Sequence, residues 1–196
     1  MANDALYKLC ADNPRHQAPE AIIAKFWIIG RTYAAAIERR RVTGDVRGDD
    51  FYTRKLVPLI KKSNIDARFA KLEIDRANNA ATNIEIHKWL MDCLSKIAGS
   101  NKRSLASKYL HFHFPNKFYI YDSRAVAALR QLMRGRRLPK RPAANKGDRD
   151  YAGFYRRCEL FRQELEERHK RKFSHREFDS ILVAWADRNS EKATSR

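Results

Sequence analysis

The chain has 196 residues, of which 43% are hydrophobic, so it is long enough to bury the core of one ordinary domain. No run of 18 or more apolar residues occurs, so we expect no membrane-spanning helix. The start lacks a basic stretch before an apolar core, so we expect no secretion signal and a cytoplasmic location. Three separated cysteines, Cys10, Cys93 and Cys158, fit a reducing compartment and show no metal-binding spacing.

The net charge of +18 is concentrated in one part of the chain. Residues 102–149 hold 13 Lys and Arg against Asp122 and Asp148, whereas residues 1–101 carry a net +5 and residues 150–196 only +2. A concentrated field of one sign attracts polyanions. The alternatives are a generally basic, solvated surface and an anionic membrane, and the basic stretch lacks the apolar face of an interfacial helix. The small charge after residue 150 predicts last helices that close the fold and do not bind the polyanion.

Few glycines and prolines, and no sustained alternating pattern, predict an all-α fold of about eight helices. We expect one helical domain over residues 1–189, with a basic loop at 135–149 and a frayed tail at 190–196. Besides a short first helix at about 3–11, eight helices are predicted, at about 19–41, 50–62 (kinked at Pro58), 66–77, 83–97, 102–112, 123–134, 150–171 and 175–188.

Local signals support several of these helix starts. Pro19 occupies a favoured first-turn position, and Asp122 is predicted to cap the helix that follows it. Ser174-His175-Arg176-Glu177 has the spacing of a capping box, in which Ser174 and Glu177 satisfy each other's backbone N–H groups. We therefore expect a helix to begin at each of these three places.

Residues 84–134 predict a helix, a short hairpin, a second helix, an extended segment, an aspartate and a third helix. The hairpin, residues 98–104, is small and polar, and such a turn can aim backbone N–H groups and a helix N-terminus at a phosphate. The alternative is a plain helix–helix turn with solvated lysines. The residues predicted to contact nucleic acid are Gly99, Ser100, Asn101, Lys102, Arg103, Ser104, Lys108 and Arg124.

One stretch resembles a known family. It reads Ser104-Leu105-Ala106-Ser107-Lys108-Tyr109-Leu110-His111-Phe112, then Pro115, then Phe118-Tyr119-Ile120-Tyr121-Asp122-Ser123. It resembles the helix-hairpin-helix–GPD superfamily of base-excision DNA glycosylases, and most of all a divergent bacterial branch similar to 8-oxoguanine glycosylases. The resemblance implies a glycosylase-like helix-hairpin-helix fold, a DNA partner (duplex or single-stranded), no membrane and no cofactor.

In that superfamily an aspartate at the start of the helix after the hairpin is essential to base removal, and Asp122 matches its position. Breaking an N-glycosidic bond builds positive charge on the sugar, and an ionised carboxylate stabilises that charge or activates a water. The alternative is that Asp122 only caps its helix, and one carboxylate could do both.

The sequence departs from the family at the lysine. Bifunctional members carry a Schiff-base lysine eighteen to twenty residues before the aspartate. In this chain, Ser104 lies eighteen residues before Asp122 and Lys102 lies twenty before it. Lys108 lies only fourteen residues before Asp122. Lys102 is therefore the candidate nucleophile, and Lys108 is interpreted as a solvated or phosphate-contacting side chain. If Lys102 does not reach the sugar, the protein is a monofunctional hydrolase or is inactive.

His111, Tyr119 and Tyr121 are the candidate lining of a pocket for an extruded base, because base-handling enzymes stack aromatic rings on the base. The alternative is that these side chains simply pack the extended segment onto the helices. His111 and His113 are two residues apart on a predicted helix and point to different faces, so we expect no metal site.

Three functions follow as hypotheses. The first is a DNA N-glycosylase that excises a damaged or modified base such as 8-oxoguanine, in base excision repair. The second is a non-catalytic helix-hairpin-helix module that grips DNA, within a bacterial antiviral defence system that would supply partner proteins. The third, a helical toxin or RNase acting on RNA, ranks last because no compact His/Lys/Glu constellation supports it.

Overall fold

The computed structural model describes residues 2–38, 49–75, 78–136 and 147–194, and within them the regular secondary structure is entirely helical. The all-α prediction is confirmed for these residues. The helices are α1 (Ala2–Asp12), α2 (Pro19–Thr32), α3 (Asp49–Phe51), α4 (Val57–Lys62), α5 (Ile65–Ile74), α6 (Ala80–Ala98), α7 (Arg103–His113), α8 (Ser123–Leu132), α9 (Arg149–His169) and α10 (His175–Thr194). A π-helical turn, Tyr52–Leu56, joins α3 to α4 just before Pro58.

The predicted helix starts are confirmed in atomic detail. Pro19 is the first residue of α2, and Asp122 caps α8 by accepting a hydrogen bond from the Ala125 N–H at 2.8 Å. In the capping box, Ser174 Oγ accepts from Glu177 N–H at 3.1 Å, and Glu177 Oε2 accepts from Ser174 N–H at 2.9 Å. These starts depend on side chains within three residues, which is why the sequence reveals them.

The second helix is shorter than predicted, because α2 ends at Thr32 and not near residue 41. Ala34 takes a left-handed conformation (φ 51°), and the chain turns back so closely that a Cβ on Gly30 would lie 2.9 Å from Ala36 Cα. Ile37 after this turn is fully buried. The packing of this turn therefore overrides the helix propensity of three consecutive alanines.

Two other boundaries differ at the C-terminal end. The last helix continues to Thr194, whereas the sequence predicted an end near residue 188 and a frayed tail. The predicted basic loop is shorter at its end, because Asp148 caps α9 and the helix begins at Arg149. Residues 137–146 of that loop, with Pro139 and Pro142, lie outside the described residues.

The core consists of two hydrophobic clusters. The first surrounds α7 and is built mainly from α1, α2, α4, α5 and α6, and the second joins α8, α9 and α10. The non-helical segment before α8 passes between them, since Phe118 is buried in the first cluster and the adjacent Tyr119 in the second. This crossing brings the start of α8 next to the α6–α7 turn. Among the described residues, no helix combines the length and apolarity needed to cross a membrane.

Candidate functional site

A cavity of about 640 Å³ lies where three segments distant in the chain meet. They are the turn at residues 33–36, the α6–α7 turn with the first half of α7, and residues 121–123 at the start of α8. The structure brings seven of the predicted site residues to this one cavity, namely Ser100, Asn101, Lys102, Ser104, Lys108, Tyr121 and Asp122.

The α6–α7 turn is built by local backbone chemistry. Gly99 ends α6 in the left-handed conformation (φ 62°), which glycine adopts without strain, and donates its N–H to the Ser95 carbonyl at 3.0 Å. The Asn101 side chain then accepts a hydrogen bond from Arg103 N–H at 2.9 Å, at the start of α7. Gly99 therefore shapes the turn, while the residues after it form the cavity wall.

Lys108 and Asp122 form the charged centre of the cavity. The Lys108 side chain is 2% exposed and donates a hydrogen bond to Ser104 Oγ at 2.9 Å. Its Nζ lies 3.8 Å from Asp122 Oδ2, while Asp122 Oδ1 holds the helix cap. The interpretation of Lys108 as a solvated side chain is therefore wrong: α7 buries most of its length in the core, and only the cavity side remains open.

Burial also shifts the pKa values of the ionisable groups at this centre. It lowers the pKa of Lys108, and the Asp122 carboxylate partly opposes that shift. Asp179 of α10 contributes a further carboxyl group, whose pKa is raised to about 7 by burial and by the negative charge of Asp122. The Tyr33 ring lies 5.3 Å from Lys108 Nζ and adds an aromatic wall. The site therefore holds a buried amine in the electrostatic field of two carboxyl groups.

Lys102, the predicted nucleophile, lines the same cavity but occupies a different position. It is 8% exposed, and its Nζ lies 3.5 Å from the carbonyl oxygen of Ala36, in the turn that follows α2. The amine that pairs with Asp122 is that of Lys108, six residues or nearly two turns further along α7.

The two predicted phosphate-contacting arginines are engaged with carboxylates. Arg103 forms a bidentate ion pair with Asp148, at 2.6 and 2.9 Å, and reaches Asp150 at 2.9 Å. This pair connects the α6–α7 turn to the start of α9. Arg124, on α8, forms an ion pair with Asp187 of α10 and lies outside the cavity lining.

Of the three residues predicted to line a base pocket, Tyr121 lines the cavity, whereas His111 and Tyr119 do not. His111 is buried, donates from Nδ1 to the Phe118 carbonyl at 2.7 Å and accepts from the Tyr7 hydroxyl at 2.5 Å. Tyr119 is buried in the second cluster, where its hydroxyl donates to Glu159 at 2.5 Å. Both side chains pack the segment before α8 onto the helices.

Sequence reasoning missed the wall formed by residues 33–36 and the carboxyl group of Asp179. Gly30, an unusual residue inside a predicted helix, was the available signal for a close turn there. No local signal points to Asp179, because its approach to the cavity depends on the packing of α10 against α8.

No group of three or more His, Cys, Asp or Glu side chains among the described residues could hold a metal ion. The chain matches no protein-family model, no curated protein and no solved structure. The function of the cavity therefore has to be argued from its own side chains and charges.

Proposed function

We propose that this protein binds DNA through its α6–α7 turn and hydrolyses the N-glycosidic bond of a modified base held in the cavity. One observation carries the proposal: Lys108 and Asp122 face each other at 3.8 Å in a cavity that also contains the small, polar turn before α7. The proposal treats α6, this turn and α7 as a helix-hairpin-helix element of a glycosylase-like fold.

The placement of the Asp122 carboxylate fits this chemistry. As the bond between the sugar C1′ and the base nitrogen breaks, the electron pair leaves with the base and positive charge develops on the sugar. Asp122 Oδ2 faces the cavity while Oδ1 is fixed by the Ala125 N–H, so the carboxylate is oriented before substrate arrives. Preorganised charge of this kind is worth roughly 10²–10³-fold in rate.

The same geometry favours Lys108 over Lys102 as the reactive amine, if an amine takes part. A lowered pKa leaves a larger fraction of neutral, nucleophilic amine, and Lys108 lies beside the carboxylate. Attack by water at C1′ would leave an abasic site, whereas attack by Lys108 would leave an imine to the sugar and lead to strand cleavage.

The volume and walls of the cavity fit an extruded nucleotide. Small-molecule sites occupy about 300–1,000 Å³, and this cavity of about 640 Å³ lies within that range. The half-buried ring of Tyr121 on its wall offers a surface on which a base can stack.

The test is a base-release assay on duplex and single-stranded DNA containing 8-oxoguanine, uracil or phage-type modified bases. Alkali reveals abasic sites, and Asp122→Asn is the decisive variant, because asparagine caps a helix about as well as aspartate. We expect release by the wild-type protein and at least about 100-fold slower release by Asp122→Asn. Asp92→Asn, which removes an exposed carboxylate on α6, is the matched control and should behave as the wild type.

Borohydride trapping assigns the amine. A covalent adduct that persists in Lys102→Gln and disappears in Lys108→Gln would identify Lys108. Release without any adduct would indicate that water is the nucleophile. Unchanged release in Asp122→Asn would overturn the proposed chemistry, and DNA binding without release from any substrate would favour the non-catalytic module. Cleavage of RNA with DNA untouched would favour the RNase.

A further inference from the structure

A second concave surface lies on the other side of Tyr121, between α8 and the first half of α9. It is a groove of about 300 Å³, and arginines dominate its lining. They come from both helices: Arg130 from α8, and Arg149, Arg156 and Arg157 from α9. Nothing in the proposed chemistry of the cavity uses these residues.

The charge of this arginine groove is not neutralised by the groove's own acidic residue. Asp150 lines the groove, but it forms an ion pair with Arg103 at 2.9 Å. Within the described parts of the chain, Arg130, Arg149 and Arg157 form no ion pair. Three guanidinium groups therefore face one groove without a carboxylate partner, which favours an anionic ligand.

The backbone at Gly153 leaves room for one of the groove arginines, and the three arginines are accessible to solvent. Gly153 lies on the groove wall, and a Cβ at this position would be 3.4 Å from Arg157 Nη1, so glycine leaves room for that guanidinium against the α9 backbone. Arg130 and Arg149 are exposed, and Arg157 is half-buried, so all three can reach a ligand in solvent.

Tyr121 connects the groove to the cavity, because its side chain is part of the wall of both. Its ring packs edge-on against Phe154 at 5.1 Å on the groove side, and the Arg103 guanidinium carbon lies 5.4 Å from the ring centre. A chain-like ligand could therefore lie in the groove and pass over Tyr121 into the cavity.

We propose that the arginine groove binds the backbone phosphates on one side of the nucleotide that enters the cavity. This inference rests on the proposed function, because it identifies the ligand of the groove as the same DNA strand. Arginine suits the task, since its planar fork of N–H donors matches phosphate oxygens. Contacts to phosphates do not depend on the DNA sequence. The groove therefore fixes the position of the strand, and base selection is left to the cavity.

The first experiment measures binding of fluorescent single-stranded and duplex DNA at several salt concentrations. The variant Arg130→Gln/Arg149→Gln/Arg157→Gln is compared with Arg54→Gln/Lys61→Gln/Lys62→Gln, which removes the same charge from exposed residues outside the groove. Each lost phosphate contact lowers the salt slope of log K by about 0.7 for single strands and about 0.9 for duplex. We expect the slope to fall by about two and the affinity to fall tenfold or more in the groove variant only.

The second experiment places single methylphosphonates, which are uncharged, along the strand on either side of the modified base. In the wild-type protein, two or three neutral linkages on one side should weaken binding, and the groove variant should be insensitive to these same linkages. Such non-additivity indicates direct contact. Equal losses in the groove variant and the control variant, or sensitivity that persists in the groove variant, would overturn the inference.

Rates separate this inference from the proposed function. The groove variant should need at least tenfold more protein to reach half-maximal base release, whereas Asp122→Asn should lower the rate at saturating protein. A wild-type protein that releases no base but shows the groove-specific loss of salt slope would refute the glycosylase and keep the groove. A slower saturated rate with unchanged affinity would refute the groove as a binding surface.

Discussion

Lys25 and Lys108 are the two most deeply buried lysines among the described residues, and their surroundings differ. Lys25 of α2 is fully buried in the first cluster, where its Nζ donates to the Asn13 carbonyl at 2.9 Å and lies 5.9 Å from the Tyr109 ring centre. Lys108 of α7 is almost as deeply buried, but its Nζ reaches a cavity and a carboxylate.

Burial alone therefore does not identify a functional lysine. Burial lowers the pKa of both side chains, to about 8 for Lys25. Of the two, Lys108 has a carboxylate within ion-pair distance, Asp122 at 3.8 Å, and lines an open volume that a ligand could enter. Lys25 is surrounded by core side chains, so its lowered pKa is a cost of folding.

The largest expected difference between the two lysines is in activity. Lys108→Met should slow base release by about 100-fold or more, because it leaves Asp122 without its cationic partner and removes the candidate amine. Lys25→Met should leave release unchanged per folded molecule. The measurement is the single-turnover rate at saturating protein, with the folded fraction checked by circular dichroism. Equal losses in both variants would mean that Lys108, like Lys25, serves only the fold.

The next difference is in the alkaline stability of the fold. The folded pKa of Lys25, about 8, lies below the ordinary value of 10.5, so from pH 8 to 10.5 the unfolded chain holds a proton that the folded chain has lost. Stability due to Lys25 is therefore lowest below pH 8 and rises through this window, by about 3 kcal/mol in total. Lys25→Met should lack this rise.

Urea denaturation at pH 7 and pH 10 checks this prediction. The free energy of unfolding of the wild type, minus that of Lys25→Met, should increase by about 2–3 kcal/mol between the two pH values. Taking the difference removes the titration of the many other basic groups. A difference that stays flat would show that Lys25 is not held charged in a dry environment.

The smallest effect concerns Asp179, the carboxyl group near the Lys108 centre. Its folded pKa, about 7, lies above the ordinary 3.8, so the folded state keeps a proton that the unfolded state releases. Its contribution to stability is therefore lost as the pH rises from about 4 to 7. Asp179→Asn should gain about 1–2 kcal/mol relative to the wild type between pH 5 and pH 8, a value reduced for its partial exposure.

Denaturation curves at the two pH values measure this gain, and Asp187→Asn on the exposed side of α10 is the control. If Asp179→Asn and Asp187→Asn change alike, Asp179 does not share the electrostatic field of the cavity. A gain confined to Asp179→Asn would show that α10 contributes a proton-holding carboxyl group to the electrostatic field of Lys108 and Asp122.

Much of the helical framework and part of the site can be predicted from the sequence. The starts of α2, α8 and α10 follow from Pro19, Asp122 and the Ser174–Glu177 box, because caps act over three residues. Asp122 and the turn at 98–104 were identified for the same reason. The α2 end was missed, since the alanines after Tyr33 favour a helix while the close contact with Gly30, set by packing, requires a turn.

The fold class, the caps and the segment with the excess positive charge follow from the amino-acid sequence, because each depends on neighbouring residues or on composition. Tertiary packing, by contrast, makes Lys108 and not Lys102 the partner of Asp122, and brings residues near 33 to the wall of the same cavity. The arginine groove also depends on tertiary packing, because its residues come from two helices. The balanced charge after residue 150 concealed the part that Arg156 and Arg157 contribute, because the acids Glu159 and Glu166 pair with Arg162 elsewhere on α9. These contacts join residues that are far apart in the sequence, or they lie on one face of a helix. The distances between such residues are fixed by packing and cannot be read from neighbouring residues.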